Sequence, residues 1–315
     1  MLTKHRTLIS RLVTIIFYIL LAVFLFLYIR TIDFSQLGQA QFVWPYFLIS
    51  VGLAIAFRYW GAYIWFVLLK SLGAQKLNNK RKLIYVYAKS WLGRYIPGTA
   101  PWILAKIYFA SQQGISKNKL AVSSLLEGAL QIIVTLTLAF IILAFDPRLS
   151  IIDSGFKWLM VVVVAIGIIA MTPPVFNRLI TIAYRIVRRK TFPAEHKANL
   201  PTILKGVGLY TIGAISGGIS LFFIAKAVYP ELPYTDMLFV FGAMSLAGAV
   251  SMLAVFAPSG IGVREGILLL LLGVIMPAEF ALLITVASRL MTVGVDFLFY
   301  GLAWLGKTKQ SSKDQ

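Results

Sequence analysis

The chain has 315 residues, of which 59% are hydrophobic and only 13% charged, and its formal net charge is +19. Apolar stretches of about 20 residues recur along it, long enough to cross about 30 Å of hydrocarbon, which excludes a soluble globular domain. No cysteine occurs and the two histidines, His5 and His196, lie in polar stretches, so neither a metal centre nor a cofactor is expected.

The chain reads as an all-α polytopic membrane protein, because in lipid each backbone donor and acceptor must be satisfied within its own helix. MLTKHRTLISR precedes an apolar run at 12–29 that is long for a signal peptide and lacks a small-residue cleavage site, so it is expected to be retained as a first span. Further full spans are expected at 47–69, 120–145, 157–176, 207–229 and 280–304. Two more stretches, 83–113 and 237–276, are apolar but interrupted. The polar stretch 177–206 is too short for a soluble domain. The expectation is a single transmembrane domain over 1–315, with 306–315 as a cytoplasmic tail.

Lysine and arginine cluster at the N-terminus, at 70–82, at 177–206 and in the tail, which places all four in the cytoplasm. The charges therefore belong to membrane-surface loops and not to a nucleic-acid interface. The loops around Asp33, 146–153 and 231–236 are poorer in basic residues and belong outside. With 70–82 inside, and Lys117 and Lys119 placing 114–119 inside as well, the stretch 83–113 must enter and return on one side. By the same parity 237–276 enters and returns from outside, or forms two complete spans at 237–257 and 266–276. The total is about six full spans plus two re-entrant broken-helix hairpins, or eight spans. Breaks entered from opposite faces suggest an inverted repeat, a transporter architecture.

Both interruptions carry helix-breaking residues beside a cation. In SWLGRYIPGTAPWILAK, Pro97 and Gly98 break the helix, Thr99 can cap the next one, and Arg94 lies just before the break. In FAPSGIGVREG, Pro258 and Gly260 break one helix and Gly262 opens another, with Arg264 and Glu265 in its first turn. Each break leaves free N–H groups and a positive dipole end in or near the hydrocarbon, a combination that suits an anion such as a lipid phosphate; the alternative is that both stretches are interfacial loops whose arginines snorkel to lipid phosphates. Lys106 lies about two turns beyond Thr99.

Ionisable residues inside spans are functional candidates. Arg58 lies within 47–69, and Glu127 lies about two turns into 120–145, where it can neutralise Arg94 or Lys106 or receive a cationic headgroup amine. Arg289 and Asp296 are seven apart and share a face, which suggests a structural pair. Lys226, near the outer end of its span, is expected to snorkel, and Tyr85, Tyr87, Trp91, Tyr95 and Trp102 are expected as interfacial aromatics, with a headgroup cage as the alternative.

GRYIPGTAPWILAKIYFASQQGISKNKLAVSSLLEGAL, together with the Pro and Gly-Xaa-Gly-Xaa-Arg-Glu of the second break, resembles the transmembrane region of lysylphosphatidylglycerol synthases, the flippase-like family. The matching positions are Pro97, Gly98, Lys106, Gly114-Ile115-Ser116 and Glu127, then Pro258, Gly260, Gly262, Arg264 and Glu265, over about 10–305. The chain departs from the family pattern at Thr99-Ala100-Pro101-Trp102, where an acidic residue usually follows the Pro-Gly, and at Lys106, where arginine is commoner.

The resemblance implies a bacterial or archaeal cytoplasmic-membrane protein that flips or binds a lipid; the sequence itself shows no nucleophile–base pair, phosphate loop or metal-ligand cluster, so no catalysis is expected. Its cargo would be an anionic or aminoacylated phospholipid or a polyprenyl-linked glycan. The alternatives are a membrane subunit presenting lipid substrate to a separate lipid-modifying enzyme, or an enzyme of lipid-linked glycan synthesis.

Overall fold

A computed structural model describes residues 41–311 except 76, 78, 97–100, 149–153 and 255–256, together with Ile19, Val23 and Arg30. The expected first span at 12–29 therefore lies almost wholly outside the described residues. Ten α-helices form the described part: α1 (Trp44–Ser71), α2 (Lys80–Trp91), α3 (Pro101–Ser111), α4 (Lys117–Ala144), α5 (Ser154–Ala170), α6 (Pro173–Arg188), α7 (Leu200–Val228), α8 (Met237–Leu253), α9 (Val263–Leu272) and α10 (Ala278–Ser311).

Local chemistry sets several of the boundaries. Proline occupies the first turn of α1, α6 and α7, where its missing N–H costs no hydrogen bond. The Asn79 and Asn199 side chains accept from the Lys82 and Thr202 amides and cap α2 and α7.

The chain is a multi-pass membrane protein. Trp44–Ser71, Lys117–Ala144, Leu200–Val228, Tyr234–Leu253 and Ala278–Lys307 are each long and apolar enough to cross a bilayer. Four of them correspond to expected spans. The fifth, Tyr234–Leu253, is the first arm of the second interrupted stretch, so that arm is not short.

The expected span at 157–176 is bent within its length. α5 ends at Ala170, and the chain turns by 85° into α6. Thr172-Pro173-Pro174 causes the turn, because proline ends one helix and starts the next. Much of the stretch read as a polar loop at 177–206 is thus helical.

Both interruptions are present. α2 tightens into a 3₁₀ turn at Leu92–Tyr95 before α3 begins at Pro101. There the two arms approach closely, since a Cβ on Gly93 would lie 3.1 Å from the Trp102 Cα. After α8, a 3₁₀ turn at Pro258–Gly260 leads into α9. Gly260 has φ +65° and a Cβ there would lie 2.4 Å from the Ser251 Cβ, so only glycine fits. The returning arms α3 and α9, of 11 and 10 residues, are about 15 Å long at 1.5 Å per residue, half a bilayer's hydrocarbon.

Each interrupted element sits in its own apolar cluster. Trp65, Leu68, Leu120, Phe176 and Tyr184 belong to the cluster that holds α2 and α3. Phe222, Val240, Leu268, Leu272 and Phe280 belong to the one that holds α8 and α9. The two short 3₁₀ turns touch where these clusters meet. Outside the helices, Arg148 joins the two acidic loops by pairing with Asp146 at 2.8 Å and Asp236 at 2.6 Å.

Candidate functional site

Where the two breaks meet, four arginines gather from four elements. Arg94 comes from the first 3₁₀ turn, Arg264 from α9, Arg58 from α1 and Arg289 from α10. Arg94 Nε donates to Ser259 Oγ at 2.9 Å, tying one break to the other across 165 residues of sequence.

Asp296 is the hub of one side. Its carboxylate accepts from Arg58 Nε, from Trp91 Nε1 at 3.2 Å and from Tyr95 Oη at 2.6 Å. Arg94 Nη1 lies 3.8 Å away. The residue is 1% exposed, so these donors replace water entirely. The expected Arg289–Asp296 pair is corrected: seven residues span about 10.5 Å of helix, beyond the reach of a salt bridge. Arg289 Nη1 instead lies 3.3 Å from Glu265 Oε1 and 3.3 Å from the Ser259 carbonyl oxygen.

Glu265 reorganises the second break. Its Oε2 accepts from the Gly262 amide at 2.7 Å, so the α9 N-terminus is already capped by a carboxylate of its own first turn. The free-amide anion site expected there is partly filled from within. Ser259, with φ +54°, takes a strained left-handed conformation that aims its hydroxyl at Arg94 and its carbonyl at Arg289.

Arg264 stands apart. It is 6% exposed, and its one polar contact among the described residues is Nη2 to Met244 Sδ at 3.6 Å. No carboxylate lies within ion-pair range of it among the described residues. It feels attraction from Glu265 and repulsion from Arg289, Arg94 and Arg58. Four guanidinium groups and two carboxylates leave a local charge of +2 (4 − 2). A buried cation without a partner is costly, and an anion would relieve that cost.

Lys106 and Glu127 form a second, closed site. They pair with each other, and both are buried. Tyr87 Oη donates to Glu127 Oε1 at 3.0 Å, and the rings of Tyr87, Trp102 and Trp65 lie 4.6, 4.6 and 5.3 Å from Lys106 Nζ. Of the partners open to Glu127, the structure selects Lys106. The pair carries no net charge and is not in contact with Arg94 or Arg264. Tyr87 stacks on Trp91 at 5.9 Å, and a cavity of about 30 Å³ is lined by residues of both sites, Arg58 and Trp91 on one side and Tyr87 and Glu127 on the other.

Pro97, Gly98 and Thr99 lie outside the described residues, and Pro258 is placed at the start of its 3₁₀ turn. Trp91, Tyr95 and Tyr87 are corrected from interfacial aromatics to donors on buried carboxylates. Lys226 is corrected as well: it does not snorkel but donates to the Pro230 and Leu232 carbonyls beyond the end of α7. Sequence reasoning missed Ser259, whose only sign was its position between Pro258 and Gly260.

The model of the lysylphosphatidylglycerol synthase transmembrane region matches residues 9–299, so the chain belongs to that family. No curated protein and no solved structure shows significant similarity to it.

Proposed function

We propose that, as a member of this family, the chain binds the phosphate of an anionic membrane lipid between its two helix breaks and carries the headgroup across the bilayer. The lipid would be an anionic or aminoacylated phospholipid or a lipid-linked glycan. The observation that carries this reading is the +2 charge of the arginine cluster, with Arg264 buried and lacking a carboxylate partner among the described residues. Arg264 and Arg94 are the phosphate ligands. Arg58 and Asp296 position Arg94, and Glu265 and Arg289 set the shape of the second break.

The Arg94–Ser259 contact acts as the latch between the breaks. A phosphate that competes for Arg94 opens it, so binding and movement are coupled. Acyl chains stay in lipid while only the headgroup passes the polar site. The reading is of a transporter in the cytoplasmic membrane of a bacterium or archaeon, with both termini cytoplasmic, that serves or precedes a lipid-modifying enzyme.

Purified chain in liposomes with fluorescently labelled phosphatidylglycerol tests this, by the rate at which label becomes accessible on the far leaflet. Removing one charged hydrogen-bond donor costs about 1.5–3 kcal/mol, so Arg264→Gln should slow movement roughly 10- to 100-fold. Equal rates for wild type and Arg264→Gln, or no movement by the wild type, would sink the proposal. Movement that appears only when a modifying enzyme is added would identify a substrate-presenting subunit instead.

A further inference from the structure

A second basic site, made of none of the break residues, lies on α6. This helix has three faces. Phe176, Ile180 and Tyr184 are buried against the core. Leu179, Ile182 and Ile186 are 42%, 49% and 73% exposed and point away from it. Arg178 and Arg185, two turns apart, are exposed on the third face with Thr181 between them. The 85° turn from its predecessor, with adjacent apolar and basic stripes, is the pattern expected of a helix that lies along a membrane surface.

A cavity of about 560 Å³ opens on the basic face, between Arg178, Thr181, Arg185 and Lys197, with Ile182 at its apolar edge. Its far wall is held rigidly. Asn177 Nδ2 donates to the Ala198 carbonyl, and the Ala198 amide donates to Asn177 Oδ1, both at 2.8 Å, which fixes Lys197 beside the helix. Arg178, Arg185 and Lys197 form no ion pair among the described residues.

We propose that this cavity is a binding site for a phosphate-bearing anion at the membrane surface, with Arg178, Arg185 and Lys197 as its cationic ligands. It is separate from the arginine cluster at the breaks. The shape favours the headgroup of an anionic phospholipid, whose acyl chains would follow Ile182, Leu179 and Ile186 into the bilayer.

The test titrates the purified full chain, in neutral maltoside micelles, with dihexanoyl phosphatidic acid, with inorganic phosphate and with dihexanoyl phosphatidylcholine, followed by calorimetry. Arg178→Ala/Arg185→Ala leaves the break cluster intact, so the binding component it loses belongs to α6. At about a factor of five per basic residue near an anionic headgroup, phosphatidic acid should bind that component roughly 30-fold more weakly. Arg178→Lys/Arg185→Lys should restore most of the loss, and both variants should melt like the wild type because the arginines are exposed. If inorganic phosphate reproduces the component at equal affinity, the ligand is a free phosphate and the anion site stands. Unchanged phosphatidic acid binding by the alanine variant overturns the proposal, as does equal loss of phosphatidylcholine binding.

Discussion

Asp296→Asn is the most informative single change, because one carboxylate holds donors from three elements. Arg58 comes from α1, Trp91 from the end of α2 and Tyr95 from the first break. The amide keeps the shape but offers one acceptor oxygen and no charge. Arg58 is then buried at 8% exposure without a counter-ion, and the local charge rises from +2 to +3. Removing one member of a buried pair costs about 3–5 kcal/mol. The neutral donors are worth much less, since side-chain hydrogen bonds within membrane proteins average about 0.6 kcal/mol. Trp91→Phe and Tyr95→Phe should therefore each cost under about 1.5 kcal/mol, and Asp296→Asn several times more. Equilibrium unfolding in mixed micelles measures the order. A double variant, Arg58→Met/Asp296→Leu, should be less destabilised than the sum of its parts, because neither charge is stranded. If Asp296→Asn lies within about 1 kcal/mol of the wild type, the carboxylate is not the hub described and the electrostatic reasoning fails.

The closed pair should behave likewise. Lys106→Met strands Glu127 in an aromatic surround and should cost about 3–5 kcal/mol, while Lys106→Met/Glu127→Leu recovers much of it in the same unfolding assay. Gly260→Ala should cost about 1–2 kcal/mol for the left-handed backbone plus the clash with Ser251, and adding Ser251→Gly should remove only the second part. In the loop that follows α4, hydrogen bonds from Arg148 hold the Asp146 carboxyl below its usual value. Its contribution is then complete above the ordinary carboxylate range of about 4 and is lost as pH falls through the lower folded value. The melting difference between wild type and Arg148→Ala should stay constant near neutrality and shrink as the pH drops through about 4 and below.

Much of the architecture is legible in the residues alone. Apolar length fixes the long helices, since water is absent from the bilayer and the backbone must satisfy itself. Pro97-Gly98 and Pro258 with Gly260 mark the two interruptions, and only glycine suits the backbone at 260. The bend into α6 was also written there, in Thr172-Pro173-Pro174 followed by a three-faced helical pattern, but the apolar run ahead of it masked the signal.

Charge partners were not legible, because they depend on which helices pack together. Arg58 and Asp296 are 238 residues apart and meet only because α1 and α10 are neighbours. Arg289 and Asp296 share a helix face, yet the rise per residue keeps them about two turns apart, and each finds its partner on another element. Composition and periodicity decide that the chain is helical, membrane-embedded and interrupted at Pro97-Gly98 and at Pro258–Gly260. Only the tertiary packing decides that the breaks face each other, that Lys106 and Glu127 neutralise one another, and that Arg264 has no carboxylate partner among the described residues.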